Sequence, residues 1–432
     1  MASITPAETA IRETIARDGP ITFRRFMEMA LYTAPGAYYS SEVEKIGPGG
    51  DYFTSPEVHP AFAALLARQL EQLWIAMGRI EHFTVVEMGA GRGSLARDIL
   101  TYTARWAPSF HQAIAYRIVE RSGTLTRLTR ETLAAVGEAA GKVTWHQGTI
   151  QDMAERSVEG CFLSNELPDA FPVHRIAVVG GELKEIYVTV ADGRLADVVG
   201  DLSDPRIAAY FDSLGLSPPE GCRAEVNLEA LEWMAQVART LRRGAVLTLD
   251  YGHPAQELYS ERHCQGTLLC FYRHTLNSDP FARIGQQDIT AHVDFTSLAR
   301  EGGRHGLNSL GLTTQRSALY ALGMGDYLAA LERMGLPRRE YEANWVAMEE
   351  LMRPDGLGRA KLLIQQKGLE GFDPAALRPE GLRRGELGRD LSREAIPLLT
   401  ASHMPLTSLS PAEPMVDEEG MWRELVGEED EV

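Results

Sequence analysis

Two N-terminal stretches, TPAETAIRETIARDG and PAFAALLARQLEQLWIAMG, carry apolar residues at helical spacing, and the first opens with a Thr cap followed by Glu. Between them, TAPGAYYSSEVEKIGPGGDYFTSPE is punctuated by Gly and Pro and is too long for a mere connector. Residues 1–80 are therefore predicted to be a helical extension carrying a lid loop. From residue 83 the pattern changes to short apolar runs, FTVVEMG, AYRIVER, KVTWHQG, GCFLSNE and GAVLTLDYG, separated by helical stretches. That alternation predicts an α/β fold, a mostly parallel sheet covered by helices on both faces. HRIAVVGGELKEIYVTVADGRLADVV alternates apolar and polar residues around GG and DG turns, which predicts inserted antiparallel strands within about 172–235. Residues 371–432, rich in Pro and Gly and closed by VGEEDEV, read as a solvated acidic tail.

The first strand runs into a glycine turn, VVEMGAGRGSLARDIL. A dinucleotide fingerprint would have its third glycine where Ser94 stands, and a phosphate loop would need a Gly-Lys-Ser/Thr that is missing. Instead Gly89, Gly91 and Gly93 follow acidic Glu87, which a phosphate would avoid and an ammonium would favour. Glu120, closing the next strand, is placed to accept ribose hydroxyls. Thr149 and the backbone of Ile150, after the third strand, sit where an adenine edge would lie. In that order, amino acid, ribose and adenine describe S-adenosylmethionine.

Composition narrows the field. The chain has 432 residues, 44% hydrophobic and 24% charged, enough for a sizeable core. A formal charge of −17 argues against a nucleic-acid surface and leaves room for a cationic partner. No apolar run is long enough to span a membrane and the N-terminus has no leader pattern, so a cytoplasmic, bacterial protein is expected. Cys161, Cys222, Cys264 and Cys270 match no zinc motif and are expected to be reduced structural thiols; no metal site is expected.

GGDYFTSPEVHPAF, VVEMGAGRGSLARDIL, SNELPDAFPVHR, LTLDYGH and DITAHVDFTSLA resemble the successive signatures of the MidA family. That family is similar to class I, Rossmann-like S-adenosylmethionine-dependent methyltransferases. The resemblance, from about residue 20 to about 365, implies a seven-stranded sheet with an N-terminal helical extension and inserted antiparallel strands. It also implies methylation of protein arginine. Leu167 and Pro168 stand where family members tend to carry aromatic residues.

Methyl transfer needs an aligned, desolvated nucleophile. Asn165, Glu166 and Asp169, at the end of the fourth strand, suit a guanidinium or amine, since carboxylates accept from the planar fork and can take the departing proton. The competing structural reading makes Glu166 and Asp169 a turn-capping pair around Pro168. Asn165 also adjoins the cofactor. His292, Asp294 and the Asp250–His253 segment are further candidates. Thr54 and Ser55 are candidates to close over the methionine end, although Ser55 also suits a helix cap. The expected function is transfer of a methyl group to a side-chain nitrogen, arginine first, of a protein or peptide. Two alternatives stand beside it: N- or O-methylation of a small specialised metabolite, and a SAM-binding assembly factor with little catalysis. A homodimer is left open.

Overall fold

The computed structural model describes residues 4–41, 45–47, 49–369, 371–372, 377–381 and 396–403. Seven strands build the central sheet: β1 (Phe83–Met88), β2 (Ile114–Glu120), β3 (Val143–Gln147), β4 (Val158–Asn165), β5 (Leu241–Asp250), β6 (Asn308–Thr314) and β7 (Lys361–Lys367). Their spatial order is β3-β2-β1-β4-β5-β7-β6. β1 to β5 pair in parallel, and β7 lies antiparallel between β5 and β6. β1 is nearly all buried, as strands covered on both faces are, and so reads as a continuous apolar run. The strand order reverses between β1 and β4, which opens a crevice at their C-terminal ends.

Helices cover both faces. One face packs against Ala61–Ala76, Ser94–Trp106 and the C-terminal helices, the other against Leu228–Thr240 and Phe295–Arg304. Helix Ala61–Ala76 thus belongs to the central core rather than to an extension, and the expected boundary at residue 80 moves back. Its Arg68 is fully buried, yet the guanidinium donates to Tyr102 and to the Leu322 carbonyl and lies 4.5 Å over the Tyr327 ring. These contacts offset the cost of burying a charge.

The predicted antiparallel insertion forms a second sheet from His174–Val179, Glu182–Ala191, Arg194–Gly200 and Arg223–Val226. Ile21–Thr22, from the N-terminal region, adds an edge strand to it. Helix Leu228–Thr240 buries Trp233, Met234 and Val237 against the central sheet, so the insertion ends before it and not at 235. A second excursion, unanticipated, follows β5 and holds the three-stranded sheet Leu269–Tyr272, Thr275–Asn277 and Asp288–Thr290.

Two further expectations change. Cys222 and Cys264, 42 residues apart, form a disulfide, while Cys161 and Cys270 are free and buried. The pairing comes from tertiary structure: Arg223 and Gln265, each next to a cysteine, form a β-bridge that aligns two loops. The expectation of four reduced thiols, and the support it lent to a cytoplasmic setting, therefore falls away. The segment after residue 370 is not wholly solvated, since Leu377, Ile396 and His403 are buried. His403 Nε2 lies 2.9 Å from Asp98 Oδ2 on helix Ser94–Trp106. The closing acidic run lies outside the described residues. Among the described residues, no helix is long and apolar enough to cross a membrane.

Candidate functional site

A cavity of about 880 Å³ occupies the crevice at the ends of β1, β2 and β4. Its floor is the turn after β1. Gly89 adopts φ +70°, and a Cβ there would come within 2.8 Å of the Leu167 side chain. Gly93 adopts φ +84° as N-cap of Ser94–Trp106, where a Cβ would meet Thr129 at 2.8 Å. Both conformations favour glycine. Gly89 and Gly91 line the cavity but Gly93 does not; its role is to let helix Gly123–Ala134 pack closely. The Arg92 guanidinium donates to the Ile46 carbonyl at 2.9 Å and ties the turn to the N-terminal loop.

Glu87, buried at the end of β1, accepts a 2.6 Å hydrogen bond from the Tyr116 hydroxyl on β2. Burial pushes its carboxyl up to about 8, against the lowering effect of the Tyr116 bond. Glu120 accepts from the Ser122 N–H at 2.8 Å, and burial lifts it to about 7. Both line the cavity, as do Thr149 and Ile150. The Thr149 N–H and hydroxyl are spent on Asp152, at 2.8 and 3.3 Å. That cap closes the short helical turn Ile150–Asp152 and sets the wall beyond β3. These groups fit an adenosyl amino acid: one buried carboxyl at the glycine turn for an ammonium, another one strand over for ribose hydroxyls.

At the end of β4, Asn165 Nδ2 donates to Glu166 Oε1 at 3.2 Å, and both residues line the cavity. Glu166 has φ +51°, a strained conformation for a residue with a Cβ and one that clusters at functional sites. Asp250 on β5 holds this turn: its carboxylate accepts from the N–H groups of Leu167, Asp169 and Tyr251 at 3.2, 3.2 and 2.7 Å. Burial first, then Asp169 and Glu57, drives the Glu166 carboxyl well above its usual range. Asp169 is buried beside the cavity rather than lining it, and burial followed by Asp288 lifts it to about 7. Asp288 is likewise lifted to about 7 by burial, although the Tyr39 hydroxyl donates to it at 2.9 Å.

His292 does not join this group. It lies buried in a histidine cluster, Nδ1 3.2 Å from His253 Nε2, and is not among the cavity-lining residues. Asp294 caps helix Phe295–Arg304 and accepts from Tyr210, a structural role. Ser55 is buried and donates to Gln315 Oε1 at 3.1 Å, whereas Thr54 lines the cavity and donates to the Glu57 carboxylate. Sequence reasoning missed Glu57, Tyr32, Tyr39, Tyr52, Phe171 and Trp233, all of which line the cavity. Glu57 sits inside the quoted TSPE signature, but nothing local announces which acid of a loop turns inward.

Residues 65–313 match the family model of S-adenosyl-L-methionine-dependent methyltransferases. The chain is 28% identical over 377 residues to protein arginine methyltransferase NDUFAF7, mitochondrial, of Mus musculus, covering 82% of this chain and 83% of that one. The Drosophila melanogaster homolog is 28% identical, covering 66% and 67%. Among solved structures, a Burkholderia thailandensis protein crystallised with S-adenosylhomocysteine superposes with TM-score 0.75 at 33% identity, over 85% of this chain and 93% of that one. The matched span contains the glycine turn and the ends of β1, β2, β3 and β4 that line the cavity, while the N-terminal part of the wall, with Tyr32, Tyr39 and Glu57, precedes it. The chain therefore belongs to the S-adenosylmethionine-dependent methyltransferase family, with S-adenosylmethionine as its cofactor.

Proposed function

We propose that this enzyme methylates a guanidinium nitrogen of arginine in a protein or peptide. The observation that carries the reading is Glu166, whose strained backbone turns a half-buried carboxyl into the cavity next to Asn165. Glu57 and Asp169 reinforce the upward push on that carboxyl, so a cation arriving beside it is favoured over water. A planar guanidinium satisfies a carboxylate through paired N–H bonds, which also orient the remaining nitrogen. Bound cofactor supplies the electrophilic methyl. The arriving guanidinium favours the ionised form of Glu166, which gives up its proton on binding. As the N–C bond forms and the C–S bond breaks, the nitrogen must shed a proton, and the Glu166 carboxylate is the acceptor on the cavity wall. Glu87 and Glu120 hold the cofactor's ammonium and ribose, and the glycine turn, Thr149 and Ile150 frame the rest. The naming of the mouse and fly relatives as arginine methyltransferases supports the same acceptor.

The test is transfer of labelled methyl from S-adenosylmethionine to arginine-containing proteins, followed by hydrolysis and amino-acid analysis. Label is expected in methylarginine. Glu166→Gln is expected to lower turnover by roughly 10²–10⁴-fold while S-adenosylhomocysteine still binds. Label recovered only in small molecules, or full turnover in Glu166→Gln, would overturn the reading.

A further inference from the structure

Beyond β5 the chain passes through Gly252–His253, the short helix Ala255–Leu258 and the turn Glu261–His263, and Val293–Asp294 later returns to pair with Gly252–His253. This path gathers imidazoles from His253, His263 and His292, with ring centroids 4.6 Å apart for His253–His263 and 5.1 Å for His253–His292. Glu257, one turn after His253, brings Oε1 to 3.0 Å from His253 Nδ1. The two atoms are close enough to interact, but the ring N–H is not well aimed at the oxygen, and the buried Nδ1 makes no well-aligned hydrogen bond. A ring nitrogen and a carboxylate oxygen thus face each other with no aligned proton between them. One donor atom each from His253, Glu257 and His263 lie within 4.8 Å of one another. None of the three lines the cofactor cavity.

We propose that His253, Glu257 and His263 form a binding site for a divalent transition metal, with Zn²⁺ the fitting probe. Two imidazoles and one carboxylate are a common donor set for that ion. With Nδ1 on the ion, His253 donates its Nε2–H to His292 Nδ1, 3.2 Å away, the outer bond that orients a metal-bound imidazole. Arg262 lies 3.4 Å from Glu257 with its side chain 56% exposed, and the ion would replace that surface ion pair. In that tautomer His292 carries its proton on Nε2, so the long 3.5 Å contact from the Arg359 guanidinium to that atom would give way when the ion binds. The ion would staple the excursion after β5 to the strand end that carries Asp250, and the Cys222–Cys264 disulfide already anchors the residue after His263.

The competing arrangement is a hydrogen-bonded chain from Arg359 through His292 and His253 to Glu257, with no ion. Tag-free, full-length protein stripped with a chelator separates the two when titrated with Zn²⁺ against a chromophoric competitor. One equivalent is expected to bind and to raise the melting temperature. Glu257→Gln and His263→Gln are each expected to weaken binding at least about tenfold and to abolish the rise, while S-adenosylhomocysteine affinity stays at the wild-type value. No stoichiometric binding by wild type, or binding unchanged in Glu257→Gln, would overturn the proposal. Should His263→Gln fail to fold, Glu257→Gln decides alone, because its side chain is 39% exposed and tolerates exchange.

Discussion

Glu87 and Glu120 show how burial changes what a carboxyl does. Both lie on strand ends that the sheet closes over, and both are lifted, to about 8 and about 7. Their folded pKa values exceed the unfolded ones, so the folded state keeps protons that the unfolded chain has released. The stability they confer is full below about pH 4 and is lost as pH rises through 7 to 8. Ligand-free protein should accordingly melt at a lower temperature at about pH 8.5 than at about pH 6; a flat or rising profile would contradict the assignment. An ammonium beside Glu87 favours the carboxylate, so cofactor binding should release a proton, visible as a buffer-dependent heat in calorimetry. Glu120→Ala should weaken S-adenosylhomocysteine about 10–100-fold, the worth of hydrogen bonds to one charged group. An unchanged Kd would move the ribose elsewhere.

Among the elements, the turn after β1 is decided by its neighbours as much as by its ligand. Gly93 needs a positive φ, and Thr129 leaves no room for a Cβ. Gly93→Ala should cost more than the roughly 1–2 kcal/mol of left-handed strain alone. Gly137, also at positive φ but with nothing within 4 Å of a Cβ, provides the comparison. Denaturant unfolding of Gly93→Ala and Gly137→Ala separates clash from strain, and equal losses would show that Thr129 gives way. A neighbouring element makes the same point differently: Asp250 on β5 shapes the β4 turn through three backbone N–H groups, and so places Glu166 without lining the cavity itself.

At the scale of the molecule, chain ends complete what the central sheet begins. Ile21–Thr22 extends the inserted sheet, and Leu377, Ile396 and His403 pack on the helical face of the core. Leu399 N–H donates to Asn344 Oδ1 at 2.8 Å, and the Gln69 amide donates to the Leu377 carbonyl at 3.1 Å. Removing everything after residue 369 should therefore destabilise the protein by roughly 3 kcal/mol or more, since each buried aliphatic side chain contributes about 1.5–3 kcal/mol. S-adenosylhomocysteine affinity should persist, because none of the described residues in the removed segment lines the cavity. A truncated chain as stable as the whole would show that these contacts contribute nothing.

The sequence alone determined what depends on neighbours along the chain. Strand and helix periodicity, the glycine turn and the acids at successive strand ends were legible, and with them the α/β class and the cofactor. Glu87, Glu120, Asn165 and Glu166 could be placed together on the cavity wall because a parallel strand always delivers its last residues to one edge of the sheet. Tertiary structure alone decided the rest. It placed Glu57 and the tyrosines of the N-terminal loop on the cavity wall, moved His292 into a separate cluster, paired Cys222 with Cys264 and buried His403. Each of these joins residues tens to hundreds of positions apart, and the pairing follows from the packing of loops and insertions, whose path no local periodicity encodes.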